Sequence, residues 1–394
     1  MRWARRTAPA GLLAAALGLT AGKAHALGWT SEVVDSPPDH DAGLESSIAF
    51  DSAGRPHIAY SERIDGNLKY AHKNAGNVWV VETVDSAGLA GSGVSLALDA
   101  SGMAHISYHR SADSVSTGDV RYAERHCFFG DFFCSWAITT LATGTHSPFA
   151  VGNTGIAIDG AGNIHVTFVD NATSELRYTK HDSTGWWTPM AVTPLGSGTT
   201  SIAVDSNDLP HITFSDQNAG TQGYVHVACV FILCGFSFEP IDHGDHGVIR
   251  LDGAGHAHVA YSNNSDVKYA HRACDPNATG CTWTTQTVFA GAGQLAGPSL
   301  AVTAGGVPHI SFYRTVAAEV RYAHHTFFGW TNERADILGS GFGTTAIALD
   351  TAGNPNISYH DSFNNDLRHA VGAPAPLPVL GTFEAAPATA VLSF

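Results

Sequence analysis

Apolar and polar residues alternate in short runs along this chain, and the runs return in a fixed order. Ser47-Ile48-Ala49-Phe50-Asp51 has a period of two. A turn containing Gly54 follows, then a second alternating run, His57-Ile58-Ala59-Tyr60. Period-two alternation of β-branched and aromatic residues specifies a strand, and the glycine supplies the turn, so each unit predicts a hairpin. Placing Asp51 opposite His57 sets Phe50 against Ile58, Ala49 against Ala59 and Ile48 against Tyr60. Bulky then meets bulky and small meets small across the ladder. One face of the hairpin is bulky and the other nearly bare, the asymmetry that radially stacked sheets need.

The same unit begins at Ser95 (SLALDASGMAHISY), Gly155, Ser201, Val248, Ser299 and Ala346. That makes seven copies at intervals of 46–60 residues. Self-similarity at this period signals a propeller or a solenoid. A third run follows in most copies, as in Leu68-Lys69-Tyr70-Ala71 and Val120-Arg121-Tyr122-Ala123. A fourth carries an aromatic with an aliphatic five residues on: Trp79/Val84, Trp136/Leu141, Trp187/Val192, Phe236/Ile241 and Trp283/Val288. Four short strands per unit make a propeller blade. The last copy has no fourth run, whereas Gly28–Val34 supplies an unattached one. The expected fold is therefore all-β: a seven-bladed β-propeller of four-stranded blades, closed by the N-terminal strand pairing into the last blade.

Residues 1–26 have a basic start, an apolar stretch from Gly11 to Leu19 and Ala24-His25-Ala26 before Leu27, the pattern of a secretory signal peptide. Residues 27–371 form the expected propeller and 372–394 an Ala/Pro-rich tail. The formal charge is −15, and removing the signal, which contains no acid, leaves a more acidic chain. That balance argues against a nucleic-acid partner or an anionic membrane surface. No apolar run is long enough to span a membrane. A secreted, periplasmic or cell-surface monomer is expected.

The six cysteines form close pairs, Cys127/Cys134, Cys229/Cys234 and Cys274/Cys281, all between the third and fourth strands of their units. Equivalent positions, an even count and a signal peptide read as local disulfides. An Asp and a His recur six residues apart: Asp51/His57, Asp99/His105, Asp159/His165, Asp205/His211 and Asp252/His258. A ring of metal or ligand sites is the sharper reading. Recurrence with the fold favours a structural one, a cross-strand Asp–His hydrogen bond closing each hairpin. The Lys or Arg of each third strand reads likewise as a solvated or inter-blade ion-pairing residue.

Chemistry should then lie where the copies differ. One face of the propeller should gather the loops carrying His40, His109, His146, His243, His246, His360 and Asp361, the ligand-binding candidates. The bland alternative is polar loop residues on an acidic secreted protein. The acidic loops would suit Ca2+, but no spacing specifies it and no cofactor is called for.

The D-x-x-G-x-x-H-I-x-Y core, with L-K/R-Y-A and a Trp strand after it, resembles the secreted bacterial propeller repeats grouped with sialidase-like proteins. The S-x-D-x-G-x-T-W box of true sialidases is absent and their arginine triad cannot be placed, so sialidase chemistry is not implied. Some polysaccharide lyases are also seven-bladed propellers with His, Tyr and Arg in the funnel. By that analogy His109, Arg110, Tyr313, Arg314 and His360 would abstract a proton beside a neutralised uronate. The leading expectation is a non-catalytic binding module for a glycan or a cell-surface protein. The alternative is a carbohydrate-active enzyme, a lyase or hydrolase, with its site in the central funnel.

Overall fold

The computed structural model describes residues 27–374, apart from 39–40, 113–117, 129, 147–153, 197, 217–218, 231–232, 275–279, 294–296 and 337–343. Seven antiparallel sheets stand around a central axis. Blade 1 runs outward through Ala42–Phe50, Pro56–Glu62, Asn67–Lys73 and Trp79–Asp85. In blade 7 the inner strand is Ala346–Leu349, followed by Pro355–Asp361 and Asp366–Pro374, and the outer strand is Leu27–Asp35. Leu27 pairs with Pro374, so the propeller runs slightly past the expected end at residue 371. The signal segment and residues 375–394 lie outside the described residues. Among the described residues no helix is long and apolar enough to cross a membrane.

The hairpin register differs from the expected one. Phe50 pairs with Pro56, Ala49 with His57 and Ile48 with Ile58, so Asp51 stands in the turn rather than opposite His57. Its carboxylate explains why. Asp51 Oδ1 accepts the backbone N–H of Ala53 at 3.0 Å and of Arg55 at 2.8 Å, which builds the turn from residues 51–55. Asp99, Asp159, Asp205, Asp252 and Asp350 hold their turns in the same way.

The recurring His does a separate job. Nδ1 of His105, His165, His211, His258 and His309 meets the hydroxyl of a third-strand Tyr at 2.5–2.8 Å, and His57 meets Tyr70 likewise. Asp and His do sit side by side, but the two hydrogen-bond only in blade 3, where His165 Nε2 lies 3.0 Å from Asp159. In the other four pairs the separation is 3.5–3.7 Å.

Aromatics and ion pairs join the blades. The outer-strand Trp packs edge-on against the third-strand Tyr of the preceding blade, as in Tyr70–Trp136 and Tyr224–Trp283 at 5.2 and 5.1 Å. In blade 3 this place belongs to Trp186, 4.9 Å from Tyr122, and not to the expected Trp187, which is exposed. Pro189 lacks a ladder donor and lies where the outer strand divides, between Gly185–Trp186 and Met190–Thr193. Trp29 makes the same contact with Tyr322 at 5.3 Å and donates to Glu333, seating the N-terminal strand of blade 7 on blade 6. The third-strand cations are ion-paired. Arg121 and Tyr108 of blade 2 share Asp85 of blade 1, at 2.9 and 2.7 Å.

Cys127–Cys134 and Cys274–Cys281 are disulfides strapping the third strand to the fourth. Cys229 and Cys234 stand opposite each other in the same ladder, and their side chains lie outside the described residues. Two disulfides suit an extracellular, oxidising compartment.

Candidate functional site: the central channel

The seven inner strands enclose a cavity of about 510 Å³. Ser, Thr, Ala and Gly make up much of its wall, interleaved with Ile, Leu and Val of the same strands. Ser47, Ser201 and Ser299 use their hydroxyls at the seams, accepting the N–H of Leu96, Ile249 and Ile347 in the next blade at 3.1–3.3 Å. Two residues beyond each seam position stands Ala49, Ala97, Ala157, Ala203, Ala301 or Ala348. In blade 5 it is Arg250. One long cation therefore enters a channel shaped for methyl groups.

Arg250 Nη1 donates to the carbonyl of Ile249 at 2.7 Å, and among the described residues no carboxylate pairs with it. Burial alone pulls its guanidinium below the ordinary range, yet an arginine stays charged. Nearer the loop face the wall holds Glu45 and His246, at equivalent positions of blades 1 and 5. Burial pushes the Glu45 carboxyl up, and the N–H it accepts from Gly93 offsets this only in part. His246 has φ +54, a left-handed backbone uncommon outside glycine, and its Nδ1 lies 2.9 Å from Asp245.

The expected ligand-binding and lyase residues disperse. His109, Tyr313 and His360 are buried. Tyr313 donates to the His360 carbonyl at 2.8 Å and accepts its N–H at 2.9 Å, while His360 Nε2 lies 2.6 Å from Asp41. Arg110 donates to the carbonyl of Ala87, and Arg314 lies 3.6 Å from Glu319 and over the Phe289 ring. Asp361 is buried, accepting the N–H of Phe363 and pairing with Arg368. His243 is exposed beside the Gly220 carbonyl. His40 and the His146 side chain lie outside the described residues.

Of the expected set, His246 lines the channel. Arg250 and Glu45 were missed, although a signal for Arg250 existed. Superposing the seven copies column by column shows Ala six times and Arg once.

No family model and no curated protein matches this sequence. The likeness to sialidase-type repeats therefore remains one of pattern. Solved structures share the fold. A protein of unknown function from Dyadobacter fermentans is 12% identical, with a TM-score of 0.51 over 88% of this chain and 100% of its own. An ulvan lyase bound to a glucuronate–sulfated rhamnose saccharide is 11% identical, with a TM-score of 0.51 over 88% of this chain and 94% of its own. AofleA from Arthrobotrys oligospora is 12% identical, with a TM-score of 0.50 over 78% and 90%. Identities this low establish the propeller and nothing finer.

Proposed function

We propose that this protein is a secreted, non-catalytic binding module that takes an acidic glycan into the mouth of its central channel. The observation that carries the reading is Arg250. A half-buried charge lining the channel, with no carboxylate pairing with it among the described residues, is free to take an anionic partner. A uronate or sulfate group would supply that partner through a bidentate contact. The hydroxyl-lined wall suits a hydrated saccharide. Of the residues borrowed from lyases, Tyr313, Arg314 and His360 make contacts between blades, which speaks for the binding reading.

Calorimetric titration with uronate-bearing, sulfated and neutral polysaccharides tests this. Acidic chains should bind, and Arg250→Ala should abolish the binding. Equal affinity for neutral chains would overturn the proposal.

A second reading is favoured by Glu45, whose raised carboxyl suits a general acid in the same channel. On that reading the protein is a lyase or hydrolase. Cleavage of an acidic polysaccharide, lost in Glu45→Gln, would establish the enzyme and displace the binding module.

A further inference from the structure

Blade 5 carries a cluster of donors that no other blade repeats. Three positions of the hairpin matter: the turn Asp, the residue four beyond it and the His six beyond it. A fourth faces that His from the third strand. In blade 1 these are Asp51, Arg55, His57 and His72; in blade 3, Asp159, Asn163, His165 and Lys180; in blade 4, Asp205, Leu209, His211 and His226. In blade 5 they are Asp252, His256, His258 and His271, three imidazoles around one carboxylate.

In two blades a side-chain cation fills the space beside the carboxylate. Arg55 lies 2.6 Å from Asp51 Oδ2, and Lys180 lies 3.1 Å from Asp159 Oδ2. Blade 5 has no Lys or Arg at these positions, only imidazoles. Its donor atoms converge instead: His256 Nδ1 is 3.1 Å and His258 Nε2 3.5 Å from the same Asp252 oxygen. One donor atom each from Asp252, His258 and His271 falls within 4.8 Å of the others. Tetrahedral zinc, with ligand bonds of about 2.0–2.1 Å, spaces its N and O donors at about 3.3 Å, close to the 3.5 Å between His258 Nε2 and Asp252 Oδ2.

A second, independent observation comes from His258. It is 2% exposed, and its Nε2, like those of His57 and His105, has no hydrogen-bond partner. Among the described residues, however, only here does a facing imidazole come so near, with His271 4.5 Å away between ring centroids. Nδ1 of His258 is fixed by the Tyr269 hydroxyl at 2.5 Å. With Nδ1–H donating to that oxygen, the lone pair of Nε2 points into the cluster. A hydrogen bond on the far ring nitrogen is what orients a metal-ligating histidine. The cost of leaving a buried imidazole nitrogen unpaired is then offset by a bond to an ion.

We infer that blade 5 binds a divalent transition-metal ion, best suited by zinc, through Asp252, His258 and His271, with His256 hydrogen-bonded to the Asp252 carboxylate and orienting it. Two imidazoles and one carboxylate are a nitrogen-rich set that favours zinc over calcium or magnesium. The site lies at the tight-turn end of the blade, next to the hairpin strapped by Cys274–Cys281 and away from Glu45 and His246. Its failure would leave the glycan reading untouched.

The test uses the full purified protein stripped with EDTA and titrated with Zn2+ by calorimetry, and with Co2+ by visible absorption. One tight equivalent of zinc and a tetrahedral cobalt spectrum are expected. His256→Arg copies the arrangement of blade 1 and should keep the fold while weakening zinc binding about 10–100-fold, because the arginine takes over the Asp252 carboxylate. His271→Gln should do the same by removing a ligand, and serves alone if the arginine variant does not fold. Unchanged affinity in a folded variant, no tight equivalent in the parent protein, or an octahedral cobalt spectrum would overturn the assignment.

Discussion

Tyr313 of blade 6 donates its phenolic hydrogen to the backbone carbonyl of His360, 47 residues on and in the next blade, and accepts the same residue's N–H. One hydroxyl thus satisfies two groups of a buried strand. Burial pushes that phenol above its ordinary range, so it is a poor acid. Tyr313→Phe should cost about 1–3 kcal/mol, because both His360 groups lose their partner inside the protein. Urea denaturation would measure it, and glycan affinity should stay unchanged. A loss of affinity with no loss of stability would return Tyr313 to the binding site.

Arg250→Ala should show the opposite pattern. Six blades already carry Ala at that position, so the substitution restores the repeat and removes a half-buried, unpaired charge. Thermal stability should hold or rise while binding of acidic saccharide disappears. Melting curves of the two forms, read beside their titrations, separate the outcomes.

Stability should fall as pH drops from about 6.5 toward about 4. Burial first, and then the neighbouring His72 or His324, lowers His57 and His309 to about 4 in the folded chain. Both groups are buried, and in the unfolded chain they titrate near the ordinary 6.5. Between those values the unfolded state binds more protons, so ΔG of unfolding decreases with falling pH. Glu32 extends the loss downward. The hydrogen bond from His369, followed by Lys73, outweighs burial and holds its carboxyl at about 2. A denaturation series from pH 7 to 4 would test the slope, and a flat profile would count against buried neutral imidazoles.

Trp29→Ala should loosen the ring closure. Its ring packs on Tyr322 and its Nε1 donates to Glu333, both in blade 6. The expected loss is about 3 kcal/mol, at the low end for a buried tryptophan because this one is half-buried. Hydrogen exchange should rise first in Asp366–Pro374, the strand it pairs beside. Uniform exchange across all blades would show that closure is not its role.

The number of blades, their strand order and the N-terminal strand of blade 7 were legible because each copy repeats the same period-two pattern. The turn register was not. The expected pairing and the observed one differ by an even offset, so each side chain keeps its face, and alternation cannot tell them apart. Only the hydrogen bonds from Ala53 and Arg55 to Asp51 fix the shifted turn at residues 51–55. Trp187 was mistaken for the packing residue because two tryptophans adjoin, and spacing alone does not say which faces Tyr122.

The sequence by itself determined what is local and repeated: strands, turns, seven units, and the cysteine pairs that close short hairpins. These depend on residues close together in the chain. Tertiary structure decided which singular residues meet. Closing the ring brings residues from every blade to one axis, which puts Glu45, His246 and Arg250 into one channel. It also seals Tyr313 and His360 between blades that a linear reading leaves open. Within blade 5, strand pairing set His271 against His258 and turned a repeated motif into a convergent cluster.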